Sequence, residues 1–456
     1  MLLPLFTSVL SPKDYGIIAL ISLISLLLGG VLSLGTGSSL GVLYFKEDNK
    51  TKRPTIIWTN LLLLTANGLL WYFVIWVFAP ILSSWIFQSS EYYQFIRLSF
   101  LASVFTAVNN PFLAFLRMEE KAKKYLCLTV GGTLINSVLS VFLIFVLEWG
   151  LYGFFLAATM GNATMFALTS YYVGRKIKFS FDPNLFLPLV RIGFPSIFGL
   201  FAFFVVDYAD RQMIERILSL DDLGVYSVGY NFGLVMLIAV SAFSTAWPPF
   251  FMSYIKKPDE MQRIFGRILT YYVILFGSLC LLFFLFAKPV LLMMTAPSFH
   301  DAWVIVGLVA TGYMLKGCYL ILLPGIYIAE KLVYQSIIEW VAAILNICLN
   351  LWLIPIYGIL GAAIATPLSY LSLPVLAWFI ARNYLKVDYE WSRLAWGSTL
   401  VISASCALYH LSQYFSSQVF DIMLYGIIVF IIYFAITFFF LLKEQERMYI
   451  YKIIRL

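Results

Sequence analysis

The sequence predicts an all-α polytopic membrane protein: two parallel six-helix repeats, two extra helices at the C-terminal end, and about 14 transmembrane segments, the first one truncated. Apolar residues occupy 62% of the 456 positions and charged residues only 12%, whereas soluble domains are about half apolar and about a quarter charged. The apolar residues form runs of about twenty, the length that a helix needs to cross the hydrocarbon core. The two halves of the chain also resemble each other.

The apolar runs predict the individual membrane segments. Backbone in lipid must satisfy its own hydrogen bonds, so each run is expected to be a helix. The loops are too short to hold an extramembrane domain. The predicted segments are residues 1–10, 17–44, 56–87, 94–116, 125–147, 150–173, 188–210, 223–247, 268–294, 302–328, 333–356, 359–381, 394–415 and 421–442.

The basic residues alternate between loops. They follow the even-numbered segments, as Lys46, Lys50, Lys52 and Arg53 do after the second. The positive-inside rule makes that side cytoplasmic and predicts that both termini are cytoplasmic. The net charge of +7 is therefore assigned to a membrane face, and no nucleic-acid partner is predicted.

The internal repeat holds a nearly constant offset of 208 to 210 residues. An even number of spans in each copy makes the repeat parallel, as in transporters whose two lobes surround a central cavity. The predicted domains are an N-terminal lobe at 1–182, a C-terminal lobe at 183–388, and two extra helices with a basic tail at 389–456. The matches include Ser11 with Ser219, Asp14 with Asp222, Gly16 with Gly224, Pro80 with Pro289, and Glu120-Lys121 with Glu330-Lys331.

The repeat also bears on the start of the chain. Segment seven begins near residue 190, so its partner is expected to begin upstream of Met1. Either Met1 is not the native start or the gene is truncated, and we expect that in-frame apolar codons precede Met1.

Catalytic and metal-binding patterns are not found. The five cysteines lie in apolar runs without metal-ligand spacing, and His300 and His410 are isolated. No catalytic residue, metal or cofactor is predicted. The glycine-rich run that includes Gly29, Gly35 and Gly37 lacks the Lys-Ser/Thr of a phosphate loop; we interpret it as a surface for close helix approach.

Several ordered motifs resemble the oligosaccharide flippases of the O-antigen (Wzx) type. The resemblance covers roughly residues 1–385, and no single motif in it is specific. The motifs are Met1-Leu2-Leu3-Pro4-Leu5, Leu10-Ser11-Pro12-Lys13-Asp14-Tyr15-Gly16, Ser33-Leu34-Gly35-Thr36-Gly37-Ser38, Arg117-Met118-Glu119-Glu120-Lys121, Gly193-Phe194-Pro195, Asp210-Arg211, Gly224-Val225-Tyr226-Ser227, Ala246-Trp247-Pro248-Pro249-Phe250, Ile354-Pro355-Ile356-Tyr357-Gly358 and Gly361-Ala362-Ala363.

The resemblance implies a place in the multidrug/oligosaccharidyl-lipid/polysaccharide exporter superfamily. Such proteins have two six-helix lobes like those of multidrug (MATE) antiporters. The implied substrate is an undecaprenyl-diphosphate-linked oligosaccharide, moved from the cytoplasmic to the periplasmic leaflet of the inner membrane for O-antigen, capsule or exopolysaccharide synthesis. The implied partners are membrane lipids, a coupling cation (H+ or Na+), and a polysaccharide polymerase with its chain-length regulator.

Two cations inside the spans are the first candidates for substrate binding. A buried unpaired charge is costly, so a lysine or arginine within a span points to a cavity or a counter-ion. Lys316 lies near the middle of segment ten, and Arg97 lies one turn inside segment four, the repeat partner of segment ten. Either cation is a candidate phosphate ligand; the alternatives are a structural ion pair or a side chain that reaches the interface.

A second group of charges lies late in segment seven. Asp207 and Asp210 are candidates for ion coupling, because a carboxylate partly buried in a span can exchange a proton or bind sodium. Arg211 is a third candidate substrate ligand, and the family pattern keeps the Asp210-Arg211 pair. The alternative is a local ion pair at the periplasmic rim.

Other polar and proline residues predict structure. Asn136 and Asn346 occupy matching repeat positions and are expected to make hydrogen bonds between helices. Pro111 and Pro324 are expected to kink or break segments four and ten.

Two other functions stay open. A drug or cation antiporter of the same superfamily shares the fold, although a cationic cavity argues against it. A membrane enzyme such as a polysaccharide polymerase or O-acyltransferase is disfavoured, because the loops are short and neither histidine has a catalytic partner at useful spacing.

Overall fold

The computed structural model describes residues 3–49, 51–194, 209–254, 258–329, 331, 333–415 and 419–448. All regular secondary structure in these residues is helical. Twelve of the described helices are long and apolar enough to cross a membrane. They correspond to the predicted segments two to six and eight to fourteen, so the all-helical, multi-pass fold is confirmed.

The chain divides into two compact units, one of residues 1–10 and 17–208 and one of residues 11–16 and 209–456. The lobe boundaries predicted at 182 and 388 remain predictions. The helices of the first half are α1 (Leu3–Val9), α2 (Pro12–Ser33), α3 (Thr36–Lys46), α4 (Arg53–Phe87), α5 (Tyr93–Met118), α6 (Ala122–Val141, continued by a π-turn at Phe142–Val146), α7 (Gly150–Gly174) and α8 (Phe186–Gly193).

The second half contains the remaining helices. Helix α17 packs on α12 and on α18, which attaches the two extra helices to the second unit. The helices are α9 (described over residues 209–217), α10 (Leu220–Gly233), α11 (Val235–Ser253), α12 (Pro258–Met294), α13 (Trp303–Leu322), α14 (Pro324–Ile328), α15 (Val333–Tyr357), α16 (Ile359–Ala381), α17 (Trp391–Tyr414) and α18 (Val419–Ile436, continued to Leu441 as a π-turn).

Segment two was predicted as one helix, and this is wrong. Helix α2 ends at Ser33, and α3 starts at Thr36 after two residues with positive φ, Leu34 at 49° and Gly35 at 67°. Asn67 of α4 donates its amide to the carbonyls of Val31 and Leu32 at 3.2 and 3.0 Å. A polar side chain thus satisfies carbonyls that the helix end leaves open.

The interpretation of the glycine-rich run is only partly right. A Cβ atom placed on Gly29 or Gly37 would meet nothing within 4 Å, so these two glycines do not serve a close approach within the chain. A Cβ on Gly193 of α8 would lie 2.6 Å from the carbonyl carbon of Gly35. The close approach in this region is therefore made by α8, which packs directly against the break between α2 and α3.

The repeat is visible in how α2 and α10 begin. The backbone N–H of Asp14 donates to Ser11 Oγ at 3.2 Å, and that of Asp222 donates to Ser219 Oγ at 3.1 Å. In each pair the serine hydroxyl also donates to the aspartate. Both helices thus begin with the same cap, in which a serine oxygen satisfies an N–H that the first turn leaves open.

The same helix starts touch through their matching glycines. A Cβ on Gly16 would lie 2.1 Å from the carbonyl oxygen of Leu220, and a Cβ on Gly224 would lie 1.8 Å from that of Pro12. Pro12 and Leu220 are themselves separated by the repeat offset of 208. The contact is therefore reciprocal, and it is close enough that no other residue fits without a shift of backbone.

Two proline residues leave carbonyls that side chains of other helices satisfy. The N–H of residue i bonds the carbonyl of residue i−4 in a helix, and proline has no N–H. Pro80 therefore leaves the Trp76 carbonyl open, and Arg97 donates to it from Nε at 3.1 Å and from Nη2 at 2.6 Å. The break predicted at Pro324 is observed at Leu323, whereas α5 continues through Pro111.

Pro324 repeats this arrangement in the second unit. The carbonyl four residues before it belongs to Leu320, and Trp247 Nε1 donates to that oxygen at 3.0 Å. Trp247 is 4% exposed, so the bond lies away from solvent. In both units, a helix carrying a proline thus relies on a donor from a neighbouring helix.

We expect the substitution Gly224→Ala to lower the melting temperature of the purified protein in detergent. The new methyl group must push the helix starts apart, and overpacking of this kind costs about 1–3 kcal/mol. Gly131→Ala is the matched control, because its Cβ would meet nothing within 4 Å. Equal melting temperatures for the two variants would contradict the prediction.

We expect Arg97→Met to lower the melting temperature, and Pro80→Ala to restore part of the loss in the same chain. Methionine keeps apolar volume but donates no hydrogen bond, and a carbonyl left unsatisfied away from water costs about 1–3 kcal/mol. Alanine at position 80 returns the missing N–H. The control is Pro80→Ala alone; a double variant no more stable than Arg97→Met alone would refute this account of the Arg97 bond.

Candidate functional site

Seven residues of the second unit form what we call the charged tyrosine cluster. Helix α13 packs against α10 and α16, and the cluster draws on these helices and on α9. Three of its members were singled out from the sequence, and the four tyrosines were not. The members are Asp210, Arg211, Tyr226, Tyr230, Tyr313, Lys316 and Tyr370.

Asp210 is a buried carboxylate held by a phenol. It is 3% exposed and accepts a hydrogen bond from the hydroxyl of Tyr226. Tyr226 is itself fully buried. Because a carboxylate loses water when it is buried, such donors are what make its position tolerable.

Arg211 and Lys316 meet the same pair of tyrosines from opposite ends. The guanidinium carbon of Arg211 lies 4.7 Å from the ring centre of Tyr230. The Tyr230 hydroxyl lies 2.9 Å from that of Tyr313, and Lys316 Nζ lies 5.8 Å from the Tyr313 ring centre. Cations at these distances are attracted by the ring faces. Arg211 and Lys316 are therefore linked through the hydrogen-bonded pair Tyr230 and Tyr313, which we call the aromatic path.

Tyr370 completes the surroundings of the lysine. Its ring centre lies 5.9 Å from Lys316 Nζ and 6.1 Å from the Tyr313 ring centre. Both rings are 1% exposed, whereas the lysine itself is half-buried. In the cluster, a half-buried lysine therefore lies beside two buried tyrosine rings.

A layer of uncharged polar side chains lies between α15 and α16. Asn346 Nδ2 donates to Ser369 Oγ at 3.0 Å, which confirms the interhelical bond predicted for Asn346. Asn350 Nδ2 donates to Asn346 Oδ1 at 2.9 Å, and Ser369 Oγ donates to the carbonyl of Thr366 at 2.8 Å. A hydrogen-bonded path therefore runs from Asn350 through Asn346 and Ser369 to the Thr366 carbonyl.

The matching residue of the first repeat behaves differently. Among the described residues, Asn136 Oδ1 has no hydrogen-bond partner. A Cβ on Gly161 would lie 3.0 Å from the Asn136 Cβ, so Asn136 packs against the neighbouring α7. The interhelical bond predicted for Asn136 is not observed there.

The remaining predicted site residues are not brought into this cluster. Arg97 belongs to the first unit, where its guanidinium carbon lies 4.1 Å from the ring centre of Trp76 and 4.8 Å from that of Tyr93. Asp207 lies outside the described residues. The structure thus groups Asp210, Arg211 and Lys316, and it gives Arg97 a structural bond to the Trp76 carbonyl.

Chemically, the cluster suits an anion that also carries hydroxyl-rich groups. Arginine and lysine bind phosphate oxygens through charge-assisted hydrogen bonds. Tyrosine adds a ring face and a hydroxyl that is both donor and acceptor. None of the described residues forms a group of histidine, cysteine and carboxylate side chains that would hold a metal ion.

Comparison with known proteins agrees with this architecture. Residues 6–304, which are more than half of the chain, match the model of a family described as polysaccharide biosynthesis protein. The Haemophilus influenzae protein named Lsg locus putative protein 1 is 24% identical over 305 residues, which cover 64% of this chain and 75% of that protein.

Solved structures share the fold. The lipid II flippase MurJ in an inward closed conformation has a TM-score of 0.72 at 14% identity, and the match covers 96% of each chain. An inward-facing multidrug resistance MATE transporter of the MOP superfamily has a TM-score of 0.71 at 14% identity, covering 84% of this chain and 92% of that one. The predicted fold class of two MATE-like lobes with two extra helices is confirmed.

The sequence match identifies the family, and the similarity to solved structures identifies the fold, which is that of membrane transporters. The chain belongs to the polysaccharide biosynthesis protein family, and it shares its fold with the lipid II flippase MurJ and with MATE transporters.

Proposed function

We propose that this protein moves an undecaprenyl-diphosphate-linked oligosaccharide from the cytoplasmic to the periplasmic leaflet of the inner membrane by alternating access. Its product would feed O-antigen, capsule or exopolysaccharide synthesis, next to a polysaccharide polymerase and a chain-length regulator. Both termini are cytoplasmic in this proposal, and the protein is a transporter without enzymatic activity. The family match and the fold of a lipid II flippase support the class of substrate.

One observation carries the proposal: two cations share an aromatic path inside a membrane-spanning unit. A diphosphate cannot enter hydrocarbon unpaired, because an uncompensated buried charge costs several kcal/mol. Lys316 and Arg211 are the charges that would pair with it, joined through Tyr230 and Tyr313. The ring faces and hydroxyls beside them suit the sugars that follow the diphosphate.

Arg97 is the third proposed substrate ligand, and its geometry limits that role. A guanidinium has five N–H groups, and Arg97 directs one from Nε and one from Nη2 to the Trp76 carbonyl. The other N–H groups are the ones that a phosphate oxygen would use. Arg97 would then hold the kink of α4 and the substrate together.

Asp210, with Asp207 as its neighbour in sequence, is the proposed coupling site for H+ or Na+. The Tyr226 hydroxyl donates to the Asp210 carboxylate, and the same unit holds the polar layer of Thr366, Ser369, Asn346 and Asn350 between α15 and α16. Oxygen atoms of such side chains bind hard cations. A gradient of the coupling cation would drive the change of access.

We expect Lys316→Met to reduce surface polysaccharide about tenfold or more in a strain whose chromosomal copy is deleted. Loss of one charge-assisted hydrogen bond costs about 1.5–3 kcal/mol, and lipid-linked oligosaccharide should accumulate on the cytoplasmic side. Lys316→Arg should retain part of the activity. Surface polymer and membrane protein levels are measured together.

Lys331→Met is the matched control, because Lys331 is an exposed loop residue of the same unit. Normal polymer in the Lys316→Met strain would refute the proposed role. If resistance to a cationic drug were lost while polymer stayed normal, the antiporter would be the better description. Polymerisation of sugars by the purified protein alone would favour the enzyme.

We expect Asp210→Asn to uncouple transport from a cation gradient in proteoliposomes. Wild-type protein should respond to an imposed H+ or Na+ gradient, whereas the amide is neutral and takes up no proton. Transport of a fluorescent lipid-linked oligosaccharide is measured with each gradient in turn. Tyr226→Phe is the companion variant, because it removes the phenol donor and keeps the carboxylate. An Asp210→Asn protein that responds as the wild type does would rule out the coupling role.

A further inference from the structure

The ends of three packed helices in the first unit carry a group of basic residues that we call the basic end. Helix α7 packs against α5 and α6, so the C-terminal ends of α5 and α7 and the start of α6 lie at the same end of the unit. All of these basic residues are exposed. The members are Arg117, Lys123, Lys124, Arg175 and Lys176.

Three of these charged groups lie against two tyrosines of α7. Lys176 Nζ lies 3.8 Å from the ring centre of Tyr172 and donates to its hydroxyl at 2.5 Å. Lys124 Nζ lies 4.8 Å from the same ring centre. Arg175 lies 3.9 Å from the Tyr171 ring centre and donates from Nη1 to the Tyr171 hydroxyl at 2.7 Å. Aromatic faces thus hold three cations in place.

No carboxylate of the described chain forms an ion pair with Lys124, Arg175 or Lys176. The nearby Lys121 is neutralised by Glu119 at 3.6 Å. In the second unit, Arg393 pairs with Glu390 at 2.7 Å, and Lys443 pairs with the same carboxylate at 2.6 Å. Two ammonium groups on one ring repel each other, and an anion between them would remove that cost.

The second repeat keeps only part of this arrangement. The offset of 210 that matches Glu120-Lys121 with Glu330-Lys331 places Lys386 at the position of Lys176 but Tyr334 at the position of Lys124. The Tyr334 ring centre lies 6.3 Å from that of Tyr384, so an aromatic pair stands where the first unit has Lys124. The pair Lys124 and Lys176 is therefore specific to the first repeat.

We propose that the basic end binds the phosphate headgroup of an anionic phospholipid from the leaflet that faces the basic loops. Lys124 lies near the start and Tyr172 near the end of candidate membrane spans, which is the depth at which tyrosine and headgroups meet. Clusters of lysine and arginine at this depth attract anionic lipids. The inference goes beyond the proposed function, since it concerns a resident lipid and not the cargo.

The test is lipid binding by the full-length protein in detergent. Phosphatidylglycerol and phosphatidylcholine are titrated separately, and bound lipid is counted by native mass spectrometry alongside the melting temperature. Wild-type protein should retain phosphatidylglycerol in preference to phosphatidylcholine and gain stability from it. In the double variant Lys124→Gln/Lys176→Gln, binding of phosphatidylglycerol should weaken at least tenfold.

Two further variants separate charge from fold and location. Lys124→Arg/Lys176→Arg keeps both charges and should retain binding, even if the glutamine pair lowers expression. Lys331→Gln/Lys386→Gln removes two exposed lysines of the second unit and should bind as the wild type does. Equal binding by wild type and the glutamine pair would overturn the proposal, as would an equal loss in the second-unit control.

A lipid-linked diphosphate is the other source of the same chemistry. Undecaprenyl diphosphate is therefore titrated in a third arm, with phosphatidylglycerol as competitor. Competition between the two lipids at the basic end supports the resident-lipid site. If undecaprenyl diphosphate binds there and phosphatidylglycerol neither binds nor competes, the basic end is a capture site for cargo and the proposal is wrong.

Discussion

Hydrocarbon offers no hydrogen bond to a backbone carbonyl, and the helices of this protein are shaped by how they meet that constraint. Each of two prolines removes one N–H, and a side chain from a neighbouring helix supplies the replacement: Arg97 for the Trp76 carbonyl, and Trp247 for that of Leu320. At the end of α2, Asn67 does the same for Val31 and Leu32. A bent helix in lipid is thus stable only together with its donor, which makes the bend a tertiary feature rather than a local one.

Charged side chains follow the same rule with aromatic partners. In the second unit, Arg211 and Lys316 face tyrosine rings, and Asp210 accepts a phenol hydroxyl. Tyrosine is suited to this task because its ring attracts a cation and its hydroxyl serves an anion, without adding a charge of its own. A cluster of this kind places cations of a membrane unit against aromatic rings, which lowers the cost of keeping charge away from water.

A residue of the fold or of the site could be predicted from the sequence when it differed in chemical type from its neighbours. Lys316 and Arg211 stand out because charge is rare in an apolar run, and the helices stand out through their length. The four tyrosines of the cluster do not stand out in the sequence, since aromatic residues make up 18% of the chain and most are expected to be lipid-facing bulk. These four are Tyr226, Tyr230, Tyr313 and Tyr370. The bond from Arg97 to Trp76 joins two helices and has no local signal. The break at Leu34 was missed because a leucine with positive φ is rare.

The two repeats share their scaffold and differ in their charges. Ser11 and Ser219 cap matching helices, and Gly16 and Gly224 make the same close approach. These contacts concern the backbone, and every copy of the bundle needs them to begin its helices. The charged residues are not needed in both copies. At the offset of 210, Lys124 of the first unit corresponds to Tyr334, and Lys316 of the second unit corresponds to Thr106. A duplicated bundle can therefore keep one pattern of caps and crossings while each lobe acquires its own electrostatic surface.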